Sequence, residues 1–115
     1  MSQANRARGA WGERAAAQWY ARHGYEILDR NWTCPDGEID LVARSVDVVV
    51  IAEVKTRRSD AYGAAVLAVD ARKQTRLRRL ALRWREDRLP DERVRLRFDV
   101  VAITGTTVEV FEDAF

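Results

Sequence analysis

The sequence predicts an α/β domain folded around a mixed central sheet, and three observations carry that expectation. Two stretches have helical periodicity, five read as strands, and their order along the chain is α-β-β-β-α-β-β. Nothing repeats, and no low-complexity linker divides the chain, so residues 1–115 are expected to form one domain.

The first helix is expected from about Ala10 to His23. Trp11, Ala15, Ala16, Trp19 and Tyr20 recur at helical spacing, and Gly24 stands as a C-terminal cap. Residues 1–9, with Arg6 and Arg8, read as a flexible basic arm. Tyr25–Thr33 reads as the first strand. Cys34-Pro35-Asp36-Gly37 then has turn chemistry, since Pro fixes φ and Gly accepts positive φ. Strands follow over Glu38–Ala43 and Val48–Thr56, joined by a link (Arg44–Asp47) short enough only for a hairpin, although it lacks an Asn-Gly or Asp-Gly pair. Ser59–Gly63 reads as loop. Ala64–Val69 is a second helical start, and Asp70 is a cap for a helix running to about Arg85. On that helix Val69, Lys73, Leu77, Leu80, Ala81 and Trp84 share one face, while Arg72, Arg76, Arg79 and Arg83 follow another line. A loop at Leu89-Pro90-Asp91 leads to a strand over Val94–Thr104, and Gly105 turns the chain into the last strand, Thr107–Phe111.

Composition removes several chemistries. The chain has 115 residues, 47% of them apolar and 33% charged, which suits a protein with an ordinary core. No apolar run approaches the ~20 residues of a membrane helix, and no apolar signal core follows the basic start, so a cytoplasmic protein without membrane partners is expected. A single cysteine (Cys34) and a single histidine (His23) exclude disulfide frameworks, zinc-finger ligand sets and Ser-His-Asp or Cys-His catalysis. Any catalysis rests on carboxylates, Lys, Arg, Tyr or a metal. The net charge of +2 hints at a polyanionic partner. Of the 20 basic residues 18 are Arg, a bias that arginine-rich codon usage explains; Lys55 and Lys73 are the two exceptions.

The stretch Gly37–Arg57, G-E-I-D-L-V-A-R-S-V-D-V-V-V-I-A-E-V-K-T-R, holds the chemistry. Glu38, Asp40, Glu53 and Lys55 interrupt strands rich in Val and Ile, where an unpaired buried charge costs several kcal/mol, on the order of 3–5. Alternation puts Glu53 and Lys55 on one face of their strand and Glu38 and Asp40 on one face of theirs. A two- or four-residue hairpin loop makes paired residue numbers add to an odd total. Asp40 then lies opposite Ile51 or Glu53, and all four charges share a face, with Val48, Val50, Ala52 and Val54 on the other. A three-residue loop breaks that arrangement. Carboxylates gathered on one face repel unless a cation joins them, and hard oxygen donors suit Mg²⁺ or Mn²⁺. The plain alternative is a solvated Glu–Lys ladder. The residues alone leave both open, because D-x(12)-E-x-K asks for only three common residue types.

The segments G-E-I-D-L-V, V-I-A-E-V-K-T-R and R-F-D-V-V, the helical W-G-E-R-A-A and the closing Ala114-Phe115 resemble the YraN-like bacterial family, which is placed in the PD-(D/E)XK nuclease superfamily near the archaeal-type Holliday junction resolvases. The resemblance implies a restriction-endonuclease-like α-β-β-β-α-β core. It implies a Mg²⁺ or Mn²⁺ site built from Asp40, Glu53, the first-helix Glu13 and the backbone carbonyl of Val54, with Lys55 as the catalytic lysine. Position alone reads Glu13 as a solvated acid near a helix start. Lys73 matches a place where superfamily members carry a basic or amide residue. Ile39 stands where the superfamily name has Pro, and Val46 where the family hairpin tends to have Gly.

The implied activity is a Mg²⁺-dependent endonuclease acting on nucleic acid, DNA ahead of RNA and branched DNA in particular. Arg57, Arg58, Lys73, Arg72 and Arg76 are the candidate phosphate contacts. Trp32 and Tyr62 are better suited to packing than to base stacking. The alternative is a nucleic-acid- or partner-binding module that keeps the fold without cutting. A third reading is a homodimer formed through an exposed strand or helix, as resolvases use to reach two strands.

Overall fold

Five strands hydrogen-bond into one sheet in chain order, β1-β2-β3-β4-β5. The structure, a computed structural model, describes residues 3–57 and 69–115. Its elements are α1 (Gln3–Arg22), β1 (Glu26–Cys34), β2 (Gly37–Ser45), β3 (Val48–Arg57), α2 (Ala71–Arg88), β4 (Arg95–Thr104) and β5 (Thr107–Phe111). Only β3 and β4 run parallel, and α2 lies on the connection between them; the other neighbours are antiparallel. This is an α/β domain with a mixed sheet and the expected α-β-β-β-α-β core. The expected loop over Ser59–Gly63 and the expected helical start at Ala64 lie outside the described residues.

The two helices cover opposite faces of the sheet. Ala16 and Tyr20 of α1 pack with Leu41, Ala43, Val50, Ala52, Val101 and Ile103. On the other face, Leu77, Leu80, Ala81 and Trp84 of α2 pack with Val42, Val49, Ile51, Phe98 and Val100. Strand alternation divides β3 between the two layers, and Val48–Ala52 are buried because β3 is an interior strand. Trp32 belongs to the α2-side core at 9% exposure, as packing favours.

Helix α1 begins at Gln3, well ahead of the expected Ala10, so the backbone read as a basic arm is helical from that residue. Ala, Arg and Gln are strong helix formers, and Gly9 costs only about 1 kcal/mol. Its buried stripe also differs from the expected one. Gly12, Ala16 and Tyr20 are buried, whereas Trp11 is 38% exposed. Gly12 and Ala16, the small members of that stripe, bring the helix close to the sheet, and Tyr20 fills the space beyond them. Helix α2 follows the expected pattern. The Asp70 carboxylate accepts from the Lys73 N–H at 3.0 Å as its N-cap, and that bond lowers the Asp70 pKa.

Polar contacts fix each helix on its layer. A β-bulge in β1 between Ile27 and Asp29 accompanies the docking of Asp29 onto α2, where it accepts from Trp84 Nε1 and Arg88 Nε, both at 3.0 Å. Arg83 pairs with Asp36 in the β1–β2 turn. On the α1 side, the fully buried Asp99 of β4 accepts from the Tyr20 hydroxyl at 2.6 Å, from Arg97 at 2.8 and 2.9 Å, and from the Asp113 N–H at 3.0 Å. Burial and then the Asp99 charge push the Tyr20 phenol above its usual pKa, so it remains a donor.

Removing a carboxylate so fully engaged strands the Arg97 charge, and Asp99→Ala is expected to destabilise the fold by about 3–5 kcal/mol. Urea denaturation measures the loss, and a change below about 1 kcal/mol would show that the network does not anchor α1.

Candidate metal centre

The β2–β3 hairpin turns through two residues, Val46 and Asp47, with Ser45 paired to Val48. Val46 has φ 28° and is 95% exposed. A β-branched residue in that region is strained, and a glycine would fit without cost. The turn nonetheless holds the odd register, with Leu41 opposite Ala52 as its last paired step.

Beyond that step the two strands part. β2 continues against β1 to the Cys34–Gly37 pair, and β3 continues against β4 to Arg57–Thr104. One more step of the register would set Asp40 against Glu53. Instead, the Asp40 carboxylate accepts from the Val54 N–H at 2.9 Å. A side chain thus satisfies a donor that the ladder has ceased to serve. A residue's N–H and C=O lie on the same strand edge, so the Val54 carbonyl faces the same opening.

The opening is a cavity of about 320 Å³. Glu38, Asp40, Glu53 and Lys55 line it from the sheet, and Lys73 and Arg76 line it from α2. Leu77 and Leu80 supply apolar wall, and Leu80 approaches so closely that a Cβ on Gly37 would sit 3.3 Å from it. Lys55 Nζ lies 3.4 Å from Glu53 Oε1, and both side chains are about four-fifths buried, at 22% and 21% exposure.

Glu13 belongs to the same electrostatic group although it arrives from α1. Burial first and Glu53 second push the Asp40 pKa up to about 7 against the pull of the Val54 N–H, and the charges of Glu13 and Glu38 add to the rise. Two residues that the sequence did not single out hold Glu13. Asn31 Nδ2 donates to Glu13 Oε2 at 2.9 Å, from a β1 position with φ 52° that Asn tolerates better than most residues. Gly12 lets α1 lie against β3, because a Cβ there would overlap the Thr56 hydroxyl. The i, i+4 and i+8 spacing of Gly12, Ala16 and Tyr20 was a readable signal for that contact. The Asn31 conformation had none.

The donor set fits a hard divalent cation. Among the described residues, no three His, Cys, Asp or Glu side chains close around one point to form a cage by themselves. Mg²⁺ keeps several waters and takes one or two carboxylates, so Asp40 and Glu53 with the Val54 carbonyl suit it, and Glu13 adds negative charge from α1. Two neighbouring carboxylates, one with a raised pKa, are a site whose negative charge is under-compensated by protein alone.

Of the candidate phosphate contacts, Lys73 and Arg76 reach the cavity wall. Arg72 lies one turn away in an adjoining groove that also contains Arg76. The Arg57 backbone ends β3, and Arg58 and Tyr62 lie outside the described residues. Arg83, on the expected arginine line, turns away to Asp36.

Two expectations follow from this geometry. Gly12→Ala should destabilise the fold by about 1–3 kcal/mol through overpacking, and adding Thr56→Ala should restore most of the loss. Thermal or urea melts of both variants check it, and an unaffected single variant would refute the close approach. For Asp40, the folded-state pKa lies above the unfolded value, so its protonated form favours the fold. That stabilisation is complete below about pH 4 and is lost as pH rises through about 7. Between about pH 5.5 and 8 the wild type should therefore lose about 2 kcal/mol relative to Asp40→Asn. Denaturation curves of the two proteins across that range measure the difference, and parallel curves would contradict it.

Comparison with known proteins places the chain. The model of "Uncharacterised protein family UPF0102" matches residues 12–103, which includes Gly12, Glu13 and the whole cavity. A UPF0102 protein of Beutenbergia cavernae is 50% identical over 98 residues, covering 85% of this chain and 82% of that protein. One from Syntrophus aciditrophicus is 42% identical over 111 residues, covering 93% and 87%. One from Moorella thermoacetica is 48% identical across the full length of both chains. The chain belongs to the UPF0102 family, the YraN-like family that its motifs resemble.

Proposed function

We propose that this protein is a divalent-metal-dependent nuclease that hydrolyses phosphodiester bonds in nucleic acid, DNA ahead of RNA. The observation that carries the reading is the meeting of Asp40, Glu53 and Lys55 in one cavity whose opposite wall carries Lys73 and Arg76. Acids on one side and cations on the other suit a phosphate bridged to a metal. A solvated ladder of Glu and Lys explains neither the burial nor the basic wall.

A Mg²⁺ held by Asp40, Glu53 and the Val54 carbonyl supplies neutralisation of phosphate charge and a water of lowered pKa. The protein's own groups do the rest. Asp40 must be ionised to serve as a ligand, and a bound cation favours that form over the protonated one. Lys55, held beside Glu53, donates to a non-bridging phosphate oxygen as charge builds there. Glu13, held by Asn31, orients a further water from the α1 side. Lys73 and Arg76 hold the phosphate from the α2 wall.

The decisive assay screens the purified chain on junction, flap, single-stranded and duplex DNA and on RNA with Mg²⁺ or Mn²⁺. Wild-type protein should cut at least one substrate and lose activity in EDTA. Asp40→Asn, Glu53→Gln and Lys55→Ala should each lose at least about 100-fold in rate with folding intact. A wild type inert on every substrate would overturn the enzymatic reading in favour of a binding module that keeps the fold.

A further inference from the structure

We infer that Arg72, Thr75, Arg76 and Arg79 of α2 form a phosphate track that holds the nucleic-acid strand beyond the bond being cut. The inference rests on the nucleic-acid reading of the adjacent cavity and extends it along the helix. A groove of about 430 Å³ is lined by these four residues, and Arg76 lines both it and the site cavity. A strand leaving the site past Arg76 therefore enters a second channel, whose lining among the described residues is three arginines and Thr75.

The way α2 uses its arginines sets this group apart. Arg78 lies over the rings of Phe98 and Phe115, at 5.0 and 5.4 Å. Arg83 is committed to Asp36, and Arg88 to Asp29 and Asp87. Those three serve packing and docking. Arg76 and Arg79 form no ion pair with any described residue, and the acidic neighbour of Arg72 is the fully exposed Asp70 cap. No acid lies in the first turn of α2, and its own acids, Glu86 and Asp87, come near the other end. The N-terminal half therefore presents cations with little internal compensation.

Spacing and chemistry name the occupant. At 1.5 Å per residue, Arg72 to Arg79 spans about 10 Å of helix, which matches about three phosphate-to-phosphate steps at about 3.4 Å of axis each on one strand. Guanidinium forks bind phosphate oxygens two at a time, while the Thr75 hydroxyl, which donates to the Ala71 carbonyl at 3.0 Å, serves only as groove wall. Contacts of this kind fix the strand's register without reading its sequence.

The test is fluorescence anisotropy with a labelled duplex oligonucleotide in EDTA, so that binding is read without cleavage, over a salt series. Arg72→Ala/Arg79→Ala avoids the residues of the site cavity and should weaken binding at least about 10-fold at low salt. It should also reduce the log–log salt slope by nearly 2, at about 0.9 per lost phosphate contact. Arg85→Ala, at the other end of the helix, should bind as wild type does. Unchanged affinity and slope in the double variant overturn the track, as does equal loss in Arg85→Ala, tighter binding of polyglutamate than of DNA, or no wild-type binding at all. Salt-dependent binding lost in the double variant upholds the track even if wild type cuts nothing, in which case only the catalytic reading falls. Cleavage by wild type with an unaltered KM and salt slope in the double variant sinks the track and leaves the nuclease.

Discussion

The hydrogen bond from the Val54 N–H to the Asp40 carboxylate is the constraint on which the site depends. A sheet stays closed as long as each interior N–H finds a carbonyl on the next strand. Here the β2–β3 ladder stops at Leu41–Ala52, and a side chain takes over the next donor. The strands can then diverge without orphaning a buried amide. That one replacement opens the cavity and places a carboxylate at its apex. The same placement makes the carboxylate hard to ionise, since burial and Glu53 both oppose its charge. The fold thus holds an acid that a cation can relieve, which is an arrangement that favours ligand binding over bare stability.

The helices reinforce the fork from opposite faces. On one side, the fit of Gly12 against Thr56 sets how closely α1 lies on β3, and the Asp99 network anchors the same helix to β4. Glu13 is one residue from the point of closest approach, so its position follows from steric fit and from the Asn31 bond. On the other side, Asp29 and Asp36 grip the C-terminal half of α2 through Trp84, Arg88 and Arg83. With that half docked, Lys73 and Arg76 in the N-terminal half overhang the cavity. Packing far from the chemistry decides which charges meet.

This division explains what could be read from the chain. The odd hairpin register was legible because register is a discrete property, but strand parity alone does not gather Glu38, Asp40, Glu53 and Lys55 around one cavity: Ile39 and Val42 both pack on the α2 side, so alternation breaks beside Asp40. The Asp70 cap and the buried face of α2 were legible for the related reason that helix spacing and capping are local. The orientation of α1 was misread at Trp11, because an apolar stripe was sought by size where the contact required the smallest side chain. The arginine line on α2 was read as uniform. One member, Arg83, differs through a partner distant in sequence, Asp36, which no local pattern records. The strain at Asn31 and Val46 belongs to the same class, since φ above zero at non-glycine residues is imposed by the surrounding sheet and turn.

The two lysines join the composition to the geometry. Arginine fills 18 of the 20 basic positions, and a general bias toward arginine would produce that excess. It gives no reason for the two remaining lysines, one on β3 and one on α2, to line the same cavity. Physical chemistry does. Beside Glu53 at 3.4 Å, a compact ammonium leaves room in a cavity of about 320 Å³ for a hydrated ion or a phosphate, whereas a planar guanidinium would fill that space and lock the carboxylate in a forked pair. An ammonium also carries protons it can reposition among several acceptors, while a guanidinium's donors are fixed in one plane. In a chain that otherwise uses arginine, lysine stands beside Glu53, where a small, reorientable cation suits the cavity, while Arg76 shares the far wall with Lys73 and arginines continue along the groove that leads away from it.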